Sequence, residues 1–445
     1  MTYSKTGAKP AEYAAKATHH HIINDPRVQS LVSKLYIPPA ASVADIAELA
    51  TPFEPVKTTV TDVFAIDGGY TESPLKKGFP ASTLHFFQFG AVHFTLDALR
   101  KLEISRHPDP DDMARLKNID RVKFPLPTLN TKRNDCESLT DSVRLTLHEF
   151  LSAEKLGESM SLMDTLGWFL FRQYKGAKRP AGEDQYELTT RPHGEGGFVF
   201  RESEMKSDFS FEGPHGEGPL YLIDALRLHE RIDEQTGAAG ICGYVAGVVE
   251  HLILLHLIRN LMRFDGGMRR SLLLMDRPTG FFGNTSRLIM PMLDLMRWLF
   301  GTTGIFMAGL EKSGAFVEHA QQIQKVMPAS SFLVLGNDYI YKYVTPPSAN
   351  TTRPYGETSY YGHKVIFKTG GGHMYVVSLP VAQLKAEPTV QDVPCLADVL
   401  THVEQLKCDM YENALLPIAL ANKLVSLSAV PSSKILESFA KASIA

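Results

Sequence analysis

Two aspartates that follow apolar, strand-like runs are the residues of this sequence best suited to do chemistry. Val60-Thr61-Asp62-Val63-Phe64-Ala65-Ile66 leads into Asp67-Gly68-Gly69-Tyr70, and Ser271-Leu272-Leu273-Leu274-Met275 leads into Asp276-Arg277-Pro278. Runs of this kind read as strands that stop on an acid beside a turn and project it into a crevice. Two such strands can bring carboxylates distant in sequence to one side of a sheet. Carboxylates at close quarters repel one another unless a proton or a cation is shared, so the pair is a natural site for Mg2+ or Mn2+ and for phosphoryl chemistry. Asp-Gly at a strand end is also ordinary turn chemistry, and each aspartate keeps that structural reading beside the chemical one.

Two more charged residues stand in contexts that call for a partner. Glu250 lies in the strongly apolar helical run from Ile241 to Met262, where a carboxylate is costly unless it faces a cavity, a cation or a hydrogen-bond donor. It is the best third acid, the alternative being an ion pair with Arg259 or Arg263. Lys312 follows the strand-like run Thr303 to Leu310 within Glu311-Lys312-Ser313-Gly314-Ala315. An ammonium delivered by a strand-to-helix turn near carboxylates can contact a phosphate or position water. Its structural alternative is a pair with Glu311 or Glu318.

The elements that would have to position these residues follow one another as a mixed α/β chain of 445 residues. Residues 1–58 read as an N-terminal helical segment, with helical spacing from Val43 to Ala50. Residues 59–100 form the first part of a core, whose second strand, Thr83 to Phe94, follows a Gly/Pro/Lys turn. Residues 101–219 read as an inserted subdomain. It opens on His107-Pro108-Asp109-Pro110-Asp111-Asp112, carries a helix candidate from Leu162 to Tyr174, and closes on two His-Gly-Glu-Gly segments at 193–196 and 215–218 that suggest paired loops. Residues 220–430 hold the remainder of the core. They comprise helices over Tyr221–Asp233, Ile241–Met262 and Ile289–Phe300, a late pair of strands over Lys364–Lys368 and Met374–Leu379, and helices over Leu396–Leu406 and Leu415–Leu427. Residues 431–445 form a tail.

Composition narrows the function classes. With 44% hydrophobic and 21% charged residues the chain can bury a large core, and a formal net charge of −3 argues against a surface coated in phosphate-binding cations. Nucleic-acid binding must therefore come from a local site or a partner. Cys136, Cys242, Cys395 and Cys408 form no C-x-x-C pair or regular framework, which points to reduced thiols in a cytoplasmic protein and away from zinc. The N-terminus lacks a signal-peptide core, and no run reaches the roughly 18 apolar residues of a membrane span, so no membrane role is expected. The His19-His20-His21 run reads as part of a helix face.

Asp67-Gly68-Gly69, Glu250 within an apolar helix, Asp276 after an apolar strand, Lys312-Ser313-Gly314 and a C-terminal helix containing Pro417 occur in an order that resembles the NurA nucleases, especially their longer bacterial members. The resemblance spans most of residues 60–430 outside the insert. It implies an RNase H-like mixed sheet core flanked by helices, and cleavage of DNA with a divalent metal, Mn2+ or Mg2+. It also implies a homodimer, and partnership with a HerA-type hexameric ATPase in end processing or defence. By resemblance Asp67, Glu250 and Asp276 are metal ligands and Lys312 an active-site cation. At the place of the family's C-terminal histidine this chain has Asn422, which can ligate or hydrogen-bond through its carbonyl but cannot act as an acid or base near neutral pH. His363 and His373, near the late strand pair, are the candidate substitutes. Loss of the histidine also leaves room for a noncatalytic scaffold that keeps the fold and the ATPase-binding surface.

Overall fold

In the computed structural model, residues 18–76, 81–103, 121–153, 155, 160–214, 217–347, 351–408, 414–427 and 432–442 are described. The turn at 77–80 and the acidic run opening at His107 lie outside them, as do His215 and Gly216 of the second His-Gly-Glu-Gly segment. The chain builds β1 (Thr51–Pro52), β2 (Asp62–Lys76), β3 (Ser82–Thr95), β4 (Arg121–Leu129), β5 (Gln185–Leu188), β6 (Phe198–Arg201), β7 (Ser210–Phe211) and β8 (Leu220–Tyr221). Then come β9 (Ser271–Met275), β10 (Phe306–Glu311), β11 (Ser331–Val334), β12 (Gly362–Lys368) and β13 (Met374–Pro380). Nine of these form one mixed sheet in the order β1-β11-β12-β13-β10-β9-β2-β3-β4. β2, β9 and β10 run parallel at its centre, β3 and β4 add antiparallel to one side, and β13 and β12 add antiparallel to the other.

Alternation along β2 sends successive residues to opposite faces, and each face meets a different set of helices. Val63 and Ala65 join the apolar cluster that contains the helices Leu396–Gln405 and Leu416–Val425, whereas Ile66 joins the cluster around the helix Cys242–Leu261. β9 shows no alternation: Ser271 through Met275 are all buried, as expected of a parallel strand covered on both faces. The Cys242–Leu261 helix is apolar all round because it is the core helix of its layer. It is the one described helix long and apolar enough to cross a membrane, and most of it is buried inside the protein. The four cysteines form no disulfide among the described residues.

Two sequence expectations change. β4 lies within the stretch read as an insert, yet it is an edge strand of the main sheet, with Phe124 opposite Phe87 and Val122 opposite Phe89. The helices Leu139–Ala153 and Leu162–Leu170 bury their apolar faces in the same cluster as Cys242–Leu261, so residues 121–170 belong to the core packing. The helix expected over Tyr221–Asp233 is instead two 3-10 turns, Leu222–Leu226 and Leu228–Arg231, broken at Arg227, which has φ 58°. Side chains outcompete the helix there. Asp224 accepts the Tyr221 N–H (2.8 Å) and a bidentate pair of bonds from buried Arg144 (2.7 Å each), while Arg227 reaches Glu230 (2.7 and 2.8 Å).

Phe124 stacks on Phe87 at 4.9 Å and on Phe89 at 5.9 Å, both on β3, the strand that separates β4 from the one carrying Asp67. Phe124→Ala should cost about 3–5 kcal/mol of global stability. A urea titration followed by far-UV and near-UV signals should move as one transition; a separate early transition in the variant would mean that β4 folds with an independent unit.

Candidate functional site

The strands β2, β9 and β10 each deliver charged residues at the same end of the sheet, the carboxyl ends of parallel strands, where open α/β sheets place their ligand crevices. β2 itself does not stop at Asp67. What stops is its pairing with β9, whose last partners are Ile66 and Met275, after which the Asp276 N–H donates to the Ile66 carbonyl at 3.4 Å. The chain then turns away through Arg277-Pro278, while β2 continues through Gly68 and Gly69. On the far side of β9, β10 ends at Glu311 and Lys312 follows it.

Asp67 is 5% exposed, and its Oδ1 accepts the Gly68 N–H at 2.8 Å. Its Oδ2 is buried and has no hydrogen-bond partner among the described residues. Burial first, and the neighbouring Asp276 charge second, push the Asp67 carboxyl up to about 7, against the pull of Lys312 and Arg277. Asp276 accepts from Lys312 Nζ at 2.5 Å through Oδ2, and its Oδ1 is likewise buried without a partner among the described residues. Lys312 therefore pairs across strands with Asp276 and with neither Glu311 nor Glu318; Glu311 takes the buried Lys364 instead.

Glu250 is 1% exposed and reaches the same crevice from the Cys242–Leu261 helix. Its partner is Arg277, which donates through Nη2 to Oε1 at 2.7 Å and through Nε to Oε2. Arg259, one of the partners considered for it, instead lies over the Trp168 ring at 5.7 Å. Burial pushes Glu250 up to about 7; Arg277 opposes the shift, and the charges of Asp67 and Asp276 add to it. Arg277 is the residue that sequence reasoning passed over. Its signal was a basic side chain next to a strand-ending acid, a place from which it can reach whatever lies across the crevice.

Two glycines make these approaches possible. A Cβ on Gly68 would stand 2.9 Å from Glu250 Oε1 and 2.3 Å from the Phe89 ring, and one on Gly247 would stand 2.6 Å from Arg277 Nη1. Either side chain would displace the arginine–glutamate pair.

Asp67 and Asp276 lie within electrostatic reach of each other and of Glu250, with Lys312 bonded to Asp276. Asn422 is exposed on the Leu416–Val425 helix; that helix meets β2 at Gly69, where the Val425 carbonyl would stand 3.2 Å from an added Cβ. His363 is buried on β12, where it accepts the Lys385 N–H at 3.3 Å. Burial holds it down to about 4, with Asp392 and Lys385 as its charged neighbours. His373 sits in the β12–β13 turn, its own N–H donating to Thr369 Oγ1 at 2.9 Å. His251, next to Glu250, bonds the Gly247 carbonyl (2.7 Å) and the Tyr361 hydroxyl (3.1 Å), and burial holds it down to about 3, a neutral packing residue.

Among the described residues no three His, Cys, Asp or Glu side chains converge into a group that could hold a metal ion. The open donors are two, Asp67 Oδ2 and Asp276 Oδ1. Two hard carboxylate oxygens suit Mg2+ or Mn2+, which commonly take one or two carboxylates and leave their other positions to water and a phosphate. Glu250, with both oxygens engaged by Arg277, does not contribute one in this arrangement.

No protein-family model matches the sequence, and no curated protein matches it. Among solved structures the chain is similar to the NurA nuclease from Sulfolobus solfataricus, at 8% identity over 96% of each chain with a TM-score of 0.35. It is also similar to a second NurA structure, at 13% identity over 96% of this chain and 97% of that one, with a TM-score of 0.27. Likeness at this level adds no weight to the argument from the residues.

Both buried acids are held above their unfolded values of 3.8 and 4.5, so the folded chain binds more protons than the unfolded chain between about pH 4 and about 7. Their contribution to stability therefore falls as pH rises through that window. In metal-free buffer Asp67→Asn should match wild type near pH 4 and gain on it above pH 7, read as urea midpoints. At pH 8, Mn2+ should raise the wild-type melting temperature and leave Asp67→Asn unmoved; a wild type indifferent to Mn2+ would exclude an ion at this pair.

Proposed function

We propose that this chain is a divalent-metal-dependent nuclease that hydrolyses DNA phosphodiesters at the Asp67–Asp276 crevice, built on an RNase H-like core. The observation that carries the reading is the pair of buried carboxylate oxygens, Asp67 Oδ2 and Asp276 Oδ1, left without donors beside the Lys312 ammonium. The strand order β4-β3-β2-β9-β10, with β2, β9 and β10 parallel and β3 antiparallel between β2 and β4, supports the RNase H-like assignment. The order of motifs shared with the NurA nucleases supports the choice of DNA.

Asp67 and Asp276 would hold Mn2+ or Mg2+, which when bound polarises the phosphate and lowers the pKa of water. Lys312, exposed at the mouth and anchored on Asp276, is placed to meet a phosphate oxygen and offset the charge that builds as water adds to phosphorus and the ester oxygen leaves. Arg277 neutralises Glu250 and keeps that acid from repelling the incoming phosphate. Water supplies the nucleophile, one proton goes to solvent through the crevice, and the leaving oxygen takes up another. No histidine is required for that balance.

A homodimer working with a HerA-type hexameric ATPase in the cytoplasm is the assembly we propose, since a chain of net charge −3 gains from a partner that feeds it a polyanion. The second reading, a catalytically weak scaffold that binds and regulates the ATPase, is favoured by one observation: Glu250 is committed to Arg277.

Labelled linear DNA incubated with Mn2+ should be cut by wild type, and Asp67→Ala or Asp276→Ala should remove nearly all cleavage while leaving the dimer intact. Lys312→Ala should slow turnover about 100-fold. Wild-type cleavage by the Asp67→Ala, Asp276→Ala double variant would sink the assignment; no cleavage by wild type even with the ATPase present would leave the scaffold. Light scattering should give a dimer, and a chain that stays monomeric and does not associate with the ATPase would refute the assembly.

A further inference from the structure

We propose that Lys364 is a positioning residue that holds the turn presenting Lys312 to Asp276 from the opposite face of the sheet, an inference that rests on the nuclease reading. Lys364 lies on β12 and is 3% exposed, a depth at which an ammonium is costly unless it is paired. It donates to Glu311 Oε1, and its Nζ stands 4.1 Å from the centroid of the Tyr360 ring and 4.4 Å from that of Phe316. Each of these contacts belongs to a strand exit at the crevice. Glu311 is the last residue of β10 and Phe316 the first buried residue of the helix Ala315–Ile323, so Lys364 grips the chain on both sides of Lys312. Residues 312–315 between them are exposed. The turn is thus fixed by the buried residues that bracket it.

Tyr360 connects the same ammonium to the turn after β9. It forms a β-bridge with Gly280, flanked by the Phe281 N–H donating to the Ser359 carbonyl at 2.7 Å and the Tyr361 N–H donating to the Thr279 carbonyl at 3.0 Å. That turn crosses β10 at Gly309, where a Cβ would stand 2.3 Å from the Arg277 carbonyl, and the Thr279 N–H reaches Ser378 Oγ on β13 at 3.2 Å. Ser378 in turn lies opposite Lys364 in the β12–β13 ladder. The turns that carry Asp276 and Lys312 therefore rest on one cation.

Strand alternation separates this cation from the chemistry. Leu310 and Leu274 join the apolar cluster of Val63 and Ala65, whereas Val376, the ladder partner of Glu311, joins another with Phe316. Lys312 returns to the side of Leu310, as Asp276 does to that of Leu274 and Asp67 to that of Ala65. Lys364 and the rings around it lie on the other side and act on the site through the backbone of the turns. Apolar side chains could fill the same space without loss of stability. What they would lack is a directional bond to the end of β10.

The test uses the full-length chain. Lys364→Met should lower kcat for Mn2+-dependent cleavage of labelled DNA about tenfold with KM little changed. It should add nothing to the loss in Lys312→Ala, because both changes act through the Lys312 ammonium. Replacing both partners, Glu311→Leu with Lys364→Met, should recover the wild-type melting temperature and leave kcat low. Brief acetylation read by mass spectrometry should modify Lys312 faster in either variant than in wild type, approaching the rate in Asp276→Ala, where the pair is gone. If Lys364→Met multiplies the Lys312→Ala defect, or if the apolar pair restores kcat, the positioning role is overturned and the nuclease reading stands. Should Lys364→Met fail to fold, the apolar pair carries the test. A wild type that cuts nothing would overturn the nuclease reading, and the acetylation rates then decide the positioning alone: an unchanged Lys312 rate in the apolar pair overturns it.

Discussion

Repulsion between carboxylates that the backbone holds together is the constraint around which this end of the molecule is arranged. Asp67 and Asp276 are fixed by the parallel register of β2 and β9, which ends at Ile66 and Met275, and by the Asp276 N–H bonded to the Ile66 carbonyl. They cannot drift apart without breaking the central ladder of the sheet. Glu250 adds a third acid from the helix above. An arrangement like this is tolerable only where cations or protons are brought to it, and the fold supplies one basic side chain from each neighbouring strand exit, Arg277 after β9 and Lys312 after β10.

The two cations are not used alike. Arg277 gives its Nε and an Nη2 donor to Glu250, a pair in which removing either partner would leave an uncompensated charge. That pair is architecture: it ties the Cys242–Leu261 helix to the turn after β9, and the side chains absent at Gly68 and Gly247 leave it room. Lys312 covers only one oxygen of Asp276 and stays exposed, so it can change partners at little cost. Asp67 is bonded to no cation among the described residues, and burial first and the Asp276 charge second raise its carboxyl to about 7. The chemically open part of the crevice is thus the side of Asp67 and Asp276, with Lys312 as its mobile cation.

The strand-forming runs before Asp67 and Asp276 were legible because β-branched and apolar residues in a row bounded by turn residues have few alternatives. The helix carrying Glu250 was legible because its apolar run is too long for a strand. The sequence was less informative wherever a long-range side-chain bond decided the outcome. The periodicity of Tyr221–Asp233 suits a helix, and only the buried Arg144 reaching Asp224 from another segment makes it two 3-10 turns. β4 falls in the stretch read as an insert, where Pro125 and Pro127 interrupt its pattern, yet an edge strand tolerates proline where no ladder bond is needed. The structural alternatives for Glu250 and Lys312 look to residues near in sequence, whereas the fold brings Arg277 to Glu250 and Asp276 to Lys312 from other segments.

Charge bookkeeping at the crevice bears on what it can bind. With all groups ionised, three carboxylates face two cations, and the cluster keeps a single negative charge. In that state it repels a phosphodiester. Protonation of Asp67 near neutrality cancels the excess but adds no attraction. A divalent cation at the two open oxygens reverses the sign, and a phosphodiester, carrying one negative charge, then returns the whole assembly to neutrality. Ion and anion are therefore expected to bind with positive coupling, each raising the affinity of the other by the same factor. The same reasoning explains why Glu250 is better paired than free: a third unpaired acid would leave the site neutral with the ion bound, and the anion would lose its reason to enter.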